Sequence, residues 1–383
     1  MKSIKKWFKK NSQALKFVSL VFVIWQAALV LIIFLGSKYF PTSWAYLYTE
    51  KDVVLSPAWL WSRANFDGMH YIGIARGGYG LYQQAFFPLY SKIVNLMAHL
   101  FGGRTLLAGW VVNLVCLYLG LFFFYKLLKL DFSERISKRV LVYLLLFPTA
   151  FFFSMIYTEA LFFLLIIGSF YFARTKRWWL AGIFGGLASA TRLVGIFLFP
   201  ALLFEWWQQK KIKNFSTFIP LLLIPIGLLS YMRFLSVNYG DSLMFIHVQS
   251  FFGAGRTADR IILLYQVFWR YFKMLVSVNK ESLTYFVVIL ESLSAVVFLF
   301  LGLFVFLRRW YSYLIFMVLA YIAPTLSGTF SSMPRYVLVL FPGFILLSLW
   351  AEKYRWLRIL YPILAIPLFI LCLLLFTRGF WVA

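Results

Sequence analysis

Asn65-Phe66-Asp67-Gly68-Met69-His70-Tyr71 sets an acid, an imidazole, an amide and a phenol close together between two long apolar blocks. Asp and Glu together number only 12 among 383 residues, so a carboxylate in such a segment asks for a reason. A carboxylate of this kind can serve as a general base. Partial burial raises its pKa, a nearby guanidinium lowers it, and the balance sets how readily it takes a proton from a hydroxyl. Ser56-Pro57 reads as a helix start, Ser as N-cap and Pro at the first helical position, with the helix running to Arg76. On it Arg63, Asp67 and His70 or Tyr71 share one face. Two readings follow: Asp67 is a base presented to a substrate, or it is the acidic half of an ordinary Arg63–Asp67 helix pair.

Other residues suit an anionic ligand. Arg192 and Arg335 each fall near the start of an apolar helix, where the macrodipole is already positive. A cation there either meets a bound anion such as phosphate or pairs with Glu159 or Glu291. Glu159 opens an apolar helix and could hold hydroxyls of a substrate or simply suit that helix end. Glu291 lies deeper in its apolar run and reads as half of a buried ion pair or as a protonated acid. Further on, His247, Gln249, Arg256, Asp259 and Arg260 form a polar patch followed by Tyr265, Trp269 and Tyr271. That pattern fits a loop covering a site, and equally an interfacial helix. Arg76-Gly77-Gly78-Tyr79-Gly80 leads through a flexible turn into Ala85-Phe86-Phe87-Pro88-Leu89-Tyr90; its glycines could admit a phosphate or merely turn the chain. His99 and Trp110 read as packing residues. No nucleotide-binding loop, metal-ligand helix or Ser–His–Asp arrangement stands out, and Gly253-Ala254-Gly255 lies outside a strand–helix context.

Composition decides what positions these residues. Hydrophobic residues make up 63% of the chain, aromatic ones 22% and charged ones 13%. No soluble globular protein can hide that much apolar surface, whereas a bilayer dissolves it. Strands of a membrane barrel would alternate in polarity, and these runs do not. The expected fold is therefore all-α and polytopic, one integral membrane domain over 1–383. The apolar runs are 17–36, 106–125, 139–154, 158–174, 178–190, 192–207, 215–236, 283–307, 310–327, 335–350 and 357–377, so the expected bundle has about 11 transmembrane helices. The basic N-terminus resembles a signal peptide, but its apolar segment from Phe17 to Gly36 is too long and lacks a small-residue cleavage site, which predicts a retained anchor. Cys116 and Cys372 lie inside apolar runs and build neither a disulfide framework nor a zinc site.

The formal charge of +25 is distributed as a topology signal. Lys2, Lys5, Lys6, Lys9, Lys10 and Lys16 precede the first span, and Lys126, Lys129, Arg135, Lys138 and Arg139 form a second cluster. Both belong on the cytoplasmic face, with membrane lipids rather than nucleic acid as the partner. That parity requires block 86–101 to stay on one side as a juxtamembrane or re-entrant helix. Arg174/Lys176/Arg177, Lys210/Lys211/Lys213, Arg308/Arg309 and Lys353/Arg355/Arg358 then all fall inside. The first outer loop is 37–105, with juxtamembrane helices; core spans fill 106–236, a second outer loop 237–282, and C-terminal spans 283–377. Every polar constellation lands on the non-cytoplasmic face.

These pieces together resemble the PIG-V family of mannosyltransferases, within the GT-C class of membrane glycosyltransferases. The resemblance is carried by Phe66, Asp67, His70, Tyr71, Ile74, Ala75, Gly78 and Tyr79, then by 85–90. Tyr157-Thr158-Glu159, Leu161-Phe162, Thr191-Arg192 and Pro334-Arg335-Tyr336 follow in the family order. It implies a GT-C-like bundle and inverting transfer of mannose from a polyprenyl-phosphate-mannose donor to a lipid-linked or glycan acceptor. It also implies no cofactor and no metal, and an active site on the non-cytoplasmic face. Asp67 falls at the family's catalytic acid. Arg192 and Arg335 fall at family-typical arginines, which with Arg256 become candidates for the donor phosphate. His70, Tyr71, Glu159, Gln249 and Tyr336 become candidates for substrate contact. Family members commonly carry Trp before the acid, where this chain has Asn65-Phe66. The compact chain points to a prokaryotic homologue and so to the cell membrane; a eukaryotic one would lie in the ER membrane. The competing expectations are a transporter or flippase of a lipid-linked sugar, and an enzyme like an O-antigen ligase or polymerase.

Overall fold

The computed structural model describes residues 2–43, 56–209 and 215–382, with side chains from Asn11 onward. Part of the first predicted outer loop, 44–55, and the Lys210/Lys211/Lys213 cluster lie outside the described residues, as do the side chains of Lys2, Lys5, Lys6, Lys9 and Lys10. The described chain is helical, without strands. In order the helices are α1 (Lys2–Tyr39), α2 (Ala58–Trp61), α3 (Asp67–Gly77), α4 (Pro88–Leu100), α5 (Thr105–Leu128), α6 (Glu134–Leu146), α7 (Glu159–Arg174), α8 (Trp178–Ser189) and α9 (Leu198–Gln208). Then come α10 (Leu223–Tyr239), α11 (Met244–His247), α12 (Leu264–Ser277), α13 (Leu283–Leu307), α14 (Tyr311–Thr325), α15 (Met333–Tyr336), α16 (Phe341–Lys353) and α17 (Arg355–Thr377).

Among the described residues, five helical stretches are long and apolar enough to cross a membrane: Asn11–Tyr39, Thr105–Leu128, Ile219–Tyr239, Leu283–Leu307 and Arg355–Thr377. A sixth crossing results if Met333–Val339 and Phe341–Lys353, bent by 80°, form one broken span. Trp178–Ser189, Leu193–Gln208 and Tyr311–Thr325 are apolar but shorter. Block 86–101 forms α4, a 13-residue helix that packs on α3 and α5 and starts with Pro88 in its first turn. At 1.5 Å per residue it measures roughly 20 Å, short of the hydrocarbon thickness.

The centre of the bundle is α7 and the turn before it. Every residue from 148 to 170 is buried, so α7 is apolar all round, as a helix surrounded by others must be. Its two ends carry charge. At one end Arg174 grips Asp131 through both guanidinium nitrogens, at 2.9 and 2.7 Å, and also meets Glu205 and the Tyr313 hydroxyl. At the other end sits Glu159, 1% exposed. There α2, α3 and α4 fold over the bundle, together with 241–262.

The single helix expected from Ser56 to Arg76 is broken. Pro57 precedes a short helix, α2, and a 3-10 turn follows at Ser62–Ala64. The chain then kinks at Phe66, whose φ of 57° is a left-handed value rare for an aromatic residue. α3 begins at Asp67. Arg63 therefore does not face Asp67. Fully buried, it donates to the Trp59 carbonyl at 3.0 Å and to the Ser154 carbonyl and hydroxyl at 3.1 and 2.9 Å, with its guanidinium over the Trp110 ring. Trp110, expected as a packing residue, stacks edge-on against Trp59.

Candidate functional site

The kink at Phe66 aims Asp67, and residues far along the chain hold the kink. Asn65 donates its amide to the Phe376 carbonyl at 2.9 Å, and the Tyr157 hydroxyl donates to the Asn65 carbonyl at 2.7 Å. The Phe66 ring packs on Phe376 and Trp381. Strained backbone persists where its surroundings over-determine it, and this segment is tied on both sides. Gly68 lets the first turn of α3 press onto the 156–157 turn: a Cβ there would stand 3.3 Å from the Ile156 carbonyl oxygen. Asp67 thus opens α3, where the helix dipole favours a negative charge.

Two carboxylates and two guanidiniums alternate at this end of the bundle. Arg335 Nη1 lies 2.8 Å from Asp67 Oδ2, and Arg192 Nη1 lies 3.0 Å from Glu159 Oε1. Arg335 Nε stands 3.4 Å from the same Glu159 oxygen, an electrostatic contact rather than a hydrogen bond. Glu159 so sits between both arginines, and the group of four is neutral. Arg335 also lies over the Phe152, Tyr157 and Tyr336 rings, and Arg192 over Tyr336. Burial pushes the Asp67 carboxyl up, but the charge and hydrogen bond of Arg335, with the charge of Arg256 adding to them, hold it below the ordinary carboxylate value. Asp67 is therefore ionised at neutral pH, and 22% of its side chain is open.

That opening faces a cavity of about 640 Å³, within the range that holds small-molecule ligands. Asp67, Tyr71, Arg192, Arg335, Tyr336, Gln249 and Arg256 all line it. Val194, Phe197, Ala320, Ala323, Pro324 and Val339 also line it and form its apolar wall. Two sequence candidates do not reach the cavity. Glu159 is behind its surface because two arginines enclose it. His70 is stacked on Phe86 at 4.9 Å and edge-on to Phe252, and it is these two rings that line the space. Burial lowers the His70 pKa more than Asp67 raises it, so the imidazole is neutral at pH 7. Glu291, expected as half of an ion pair or protonated, makes no ion pair among the described residues; it accepts hydrogen bonds from the Tyr271 hydroxyl (2.6 Å) and the Ser332 amide (3.1 Å). His247 pairs with Asp241 at 2.6 Å on the exposed side of its loop.

The roof of the cavity is 245–262. Gln249 donates to the Phe245 carbonyl and lines the space beside it. Gly253, Ala254 and Gly255 all have positive φ, and Arg270 donates to the carbonyls of Ala254 (3.1 Å), Gly255 (3.2 Å) and Gly328 (2.9 Å). Thr257 and Ile262 donate their amides to the Ser327 and Leu326 carbonyls. Arg256 projects from this clamped loop. Unlike Arg192 and Arg335, it makes no ion pair among the described residues, and it is half-buried at the cavity wall. Asn65 and Tyr157 both fall in motifs singled out from the sequence, but their role in fixing the kink was not readable there, since their contacts come from distant segments. Chemically, the cavity offers an ionised acid, a cation without a carboxylate and an apolar wall. Searches of protein-family models and of curated proteins find no match to this chain.

Proposed function

We propose that this protein is an inverting glycosyltransferase that moves mannose from a polyprenyl-phosphate donor to a lipid-linked or glycan acceptor. The observation that carries the reading is the position of Asp67: ionised, aimed by a strained kink and open to a cavity that also presents Arg256 and an apolar wall. Asp67 takes the proton of the acceptor hydroxyl. The freed oxygen pair attacks the anomeric carbon from the side opposite the phosphate. The bond from that carbon to the phosphate oxygen breaks, and its electrons leave on polyprenyl phosphate. The donor phosphate carries one negative charge and the product gains another, so a fixed guanidinium favours the transition state over the ground state.

Since Glu159 and Asp67 already neutralise Arg192 and Arg335, the cavity-lining arginines without an ion pair among the described residues are Arg256 and Arg260, and Arg256, the half-buried one, reads the arriving phosphate. Arg335 completes that contact as negative charge develops, and Asp67 becomes more basic as Arg335 turns to phosphate. The polyprenyl chain lies along the wall of Val194, Phe197, Ala320 and Pro324. The guanidiniums supply the positive charge, so transfer proceeds without a metal or cofactor. Tyr71, Gln249 and Tyr336 contact the sugar or acceptor.

The reading includes a GT-C-like bundle of about 11 crossings. α8 and α14 are then short crossings, α8 presenting Trp179, Ile183 and Leu187 outward, and the cavity opens on the non-cytoplasmic face of a prokaryotic cell membrane. The test is direct: purified protein is incubated with polyprenyl phosphate carrying radiolabelled mannose and a panel of lipid and glycan acceptors, and products are separated by chromatography. Label moving to an acceptor supports the reading. A labelled donor that binds and stays intact with every acceptor points instead to a transporter of the lipid-linked sugar.

A further inference from the structure

α12 divides its circumference three ways. Val267 and Tyr271 are buried, with Phe268, Met274 and Leu275 partly so, where the helix packs on α13 and α14. Tyr265, Trp269, Phe272 and Val276 are 66, 59, 56 and 70% exposed. At 3.6 residues per turn these four fall within an arc of about 60°. Gln266, Lys273 and Ser277 are also exposed and occupy the neighbouring arc. A helix on a water-facing surface has two sides, one packed and one polar. A third, apolar and exposed, side beside a polar one is the pattern of a helix lying in the plane of a membrane surface.

We propose that α12 is seated in the headgroup–acyl boundary on the cavity side of the bundle and that this seat holds the cavity roof in place. Two further observations favour lipid as the occupant of the exposed stripe. The helix α12 packs on, α13, is long enough to cross the membrane and exposes Ile289, Leu293 and Val296. Two of the stripe's three rings are Tyr265 and Trp269, whose apolar bodies and polar tips suit that boundary, with the Lys273 ammonium over the Trp269 ring towards water. The link to the roof is covalently short. Arg270, next to Trp269, grips the carbonyls of Ala254, Gly255 and Gly328, and Tyr271 reaches Glu291, which holds the Ser332 amide three residues before Arg335. Lipid contact at Trp269 and Phe272 is thereby transmitted to the loop that carries Arg256. The seat rests on the membrane reading of the bundle, and the sugar chemistry plays no part in it.

The test uses single nitroxide labels on the full-length protein in phosphatidylethanolamine–phosphatidylglycerol vesicles. Labels at Val276→Cys and Ser277→Cys are compared for collision with oxygen, which partitions into lipid, and with a water-soluble nickel chelate. The expected result is an oxygen-to-nickel ratio several-fold higher at position 276 than at its immediate neighbour. Equal access of the chelate to both positions overturns the seat, and so does dipolar broadening at 276 between molecules, which would place a second copy on the stripe. For the link, a label at Ala258→Cys on the roof is followed in Trp269→Gln/Phe272→Gln and in Arg270→Ala backgrounds. Both are expected to sharpen its spectrum relative to the unmodified helix. A roof label unchanged in both overturns the coupling while leaving the transfer reaction untested by that result, since no sugar is present.

Discussion

At the scale of single residues, the site works by dividing its cations. Arg192 and Arg335 answer Glu159 and Asp67, whereas Arg256 has no carboxylate partner among the described residues. Arg256→Ala should therefore raise the donor KM about 10- to 100-fold, the loss of a charge-assisted hydrogen bond of about 1.5–3 kcal/mol, with little change in kcat. Arg335→Ala should instead lower kcat, and Arg335→Lys should restore only part of it because a point charge lacks the planar fork. Steady-state kinetics over donor concentration separates the two; the reverse assignment would make Arg335 the ground-state phosphate ligand. The pH profile follows from Asp67. Its carboxyl is held below its ordinary value of 3.8, so the folded protein binds that proton less tightly than the unfolded chain does. The stability contributed by the pair is complete above the ordinary value and is lost as pH falls through the lowered one. By the same sign, kcat/KM should stay flat on its acid side down to about pH 5. An acid limb centred near pH 6–7 in initial-rate measurements would place the base elsewhere.

At the scale of elements, the break between α2 and α3 is what the sequence concealed. Arg63, Asp67 and His70 carry helical spacing, and nothing local interrupts it: neither Asn65 nor Phe66 is a glycine or a proline. The break is imposed from outside, by Asn65 reaching a carbonyl 311 positions away and by two aromatic rings near the C-terminal end of the chain. Tertiary contacts of that span leave no periodic trace. Asn65→Ala removes the bond to the Phe376 carbonyl, which keeps the Gly379 amide as a donor, at a cost of about 0.5–1.5 kcal/mol. It should lower the thermal midpoint in detergent, and turnover should fall further than donor affinity because Asp67 loses its aim. A variant that loses stability with unchanged turnover would show that the kink does not position the acid. Asp67 itself was legible because acids are so scarce in this chain. The group of four was half legible, since pairing of Arg192 with Glu159 stood as one of two readings while the shared role of Glu159 did not.

At the scale of the whole molecule, composition made the helical class and the long apolar helices readable, because hydrophobic length is a one-dimensional property. Thr105–Leu128, Leu283–Leu307 and Arg355–Thr377 fall on expected runs. The run 192–207 was less transparent. Arg192 is extended and 193–197 is a 3-10 turn before α9 begins, so that apolar run is a bent path rather than one straight helix. The charge-derived topology makes a separate prediction. Cysteines at Leu81 and Ile261, both well exposed beside the cavity end, should react with an impermeant maleimide on intact cells. One at Ser133, at the start of α6, should react only after permeabilisation. Cys116 and Cys372 are buried and give a quiet background. Labelling of Ser133→Cys from outside together with Leu81→Cys would mean that α4 crosses the membrane.

The central claim is that Asp67 is the base of a sugar transfer, and the most direct measurement is turnover by Asp67→Asn. The change keeps the size of the side chain and one oxygen for Arg335, and removes the basic charge. Purified wild type and variant are given polyprenyl phosphate carrying radiolabelled mannose and the acceptor that supports transfer, with donor binding measured in parallel. Binding is expected within a few-fold of wild type, with transfer slower by about 10²–10⁴-fold. Transfer at the wild-type rate by a folded, donor-binding Asp67→Asn protein would contradict it and reduce Asp67 to a structural partner of Arg335.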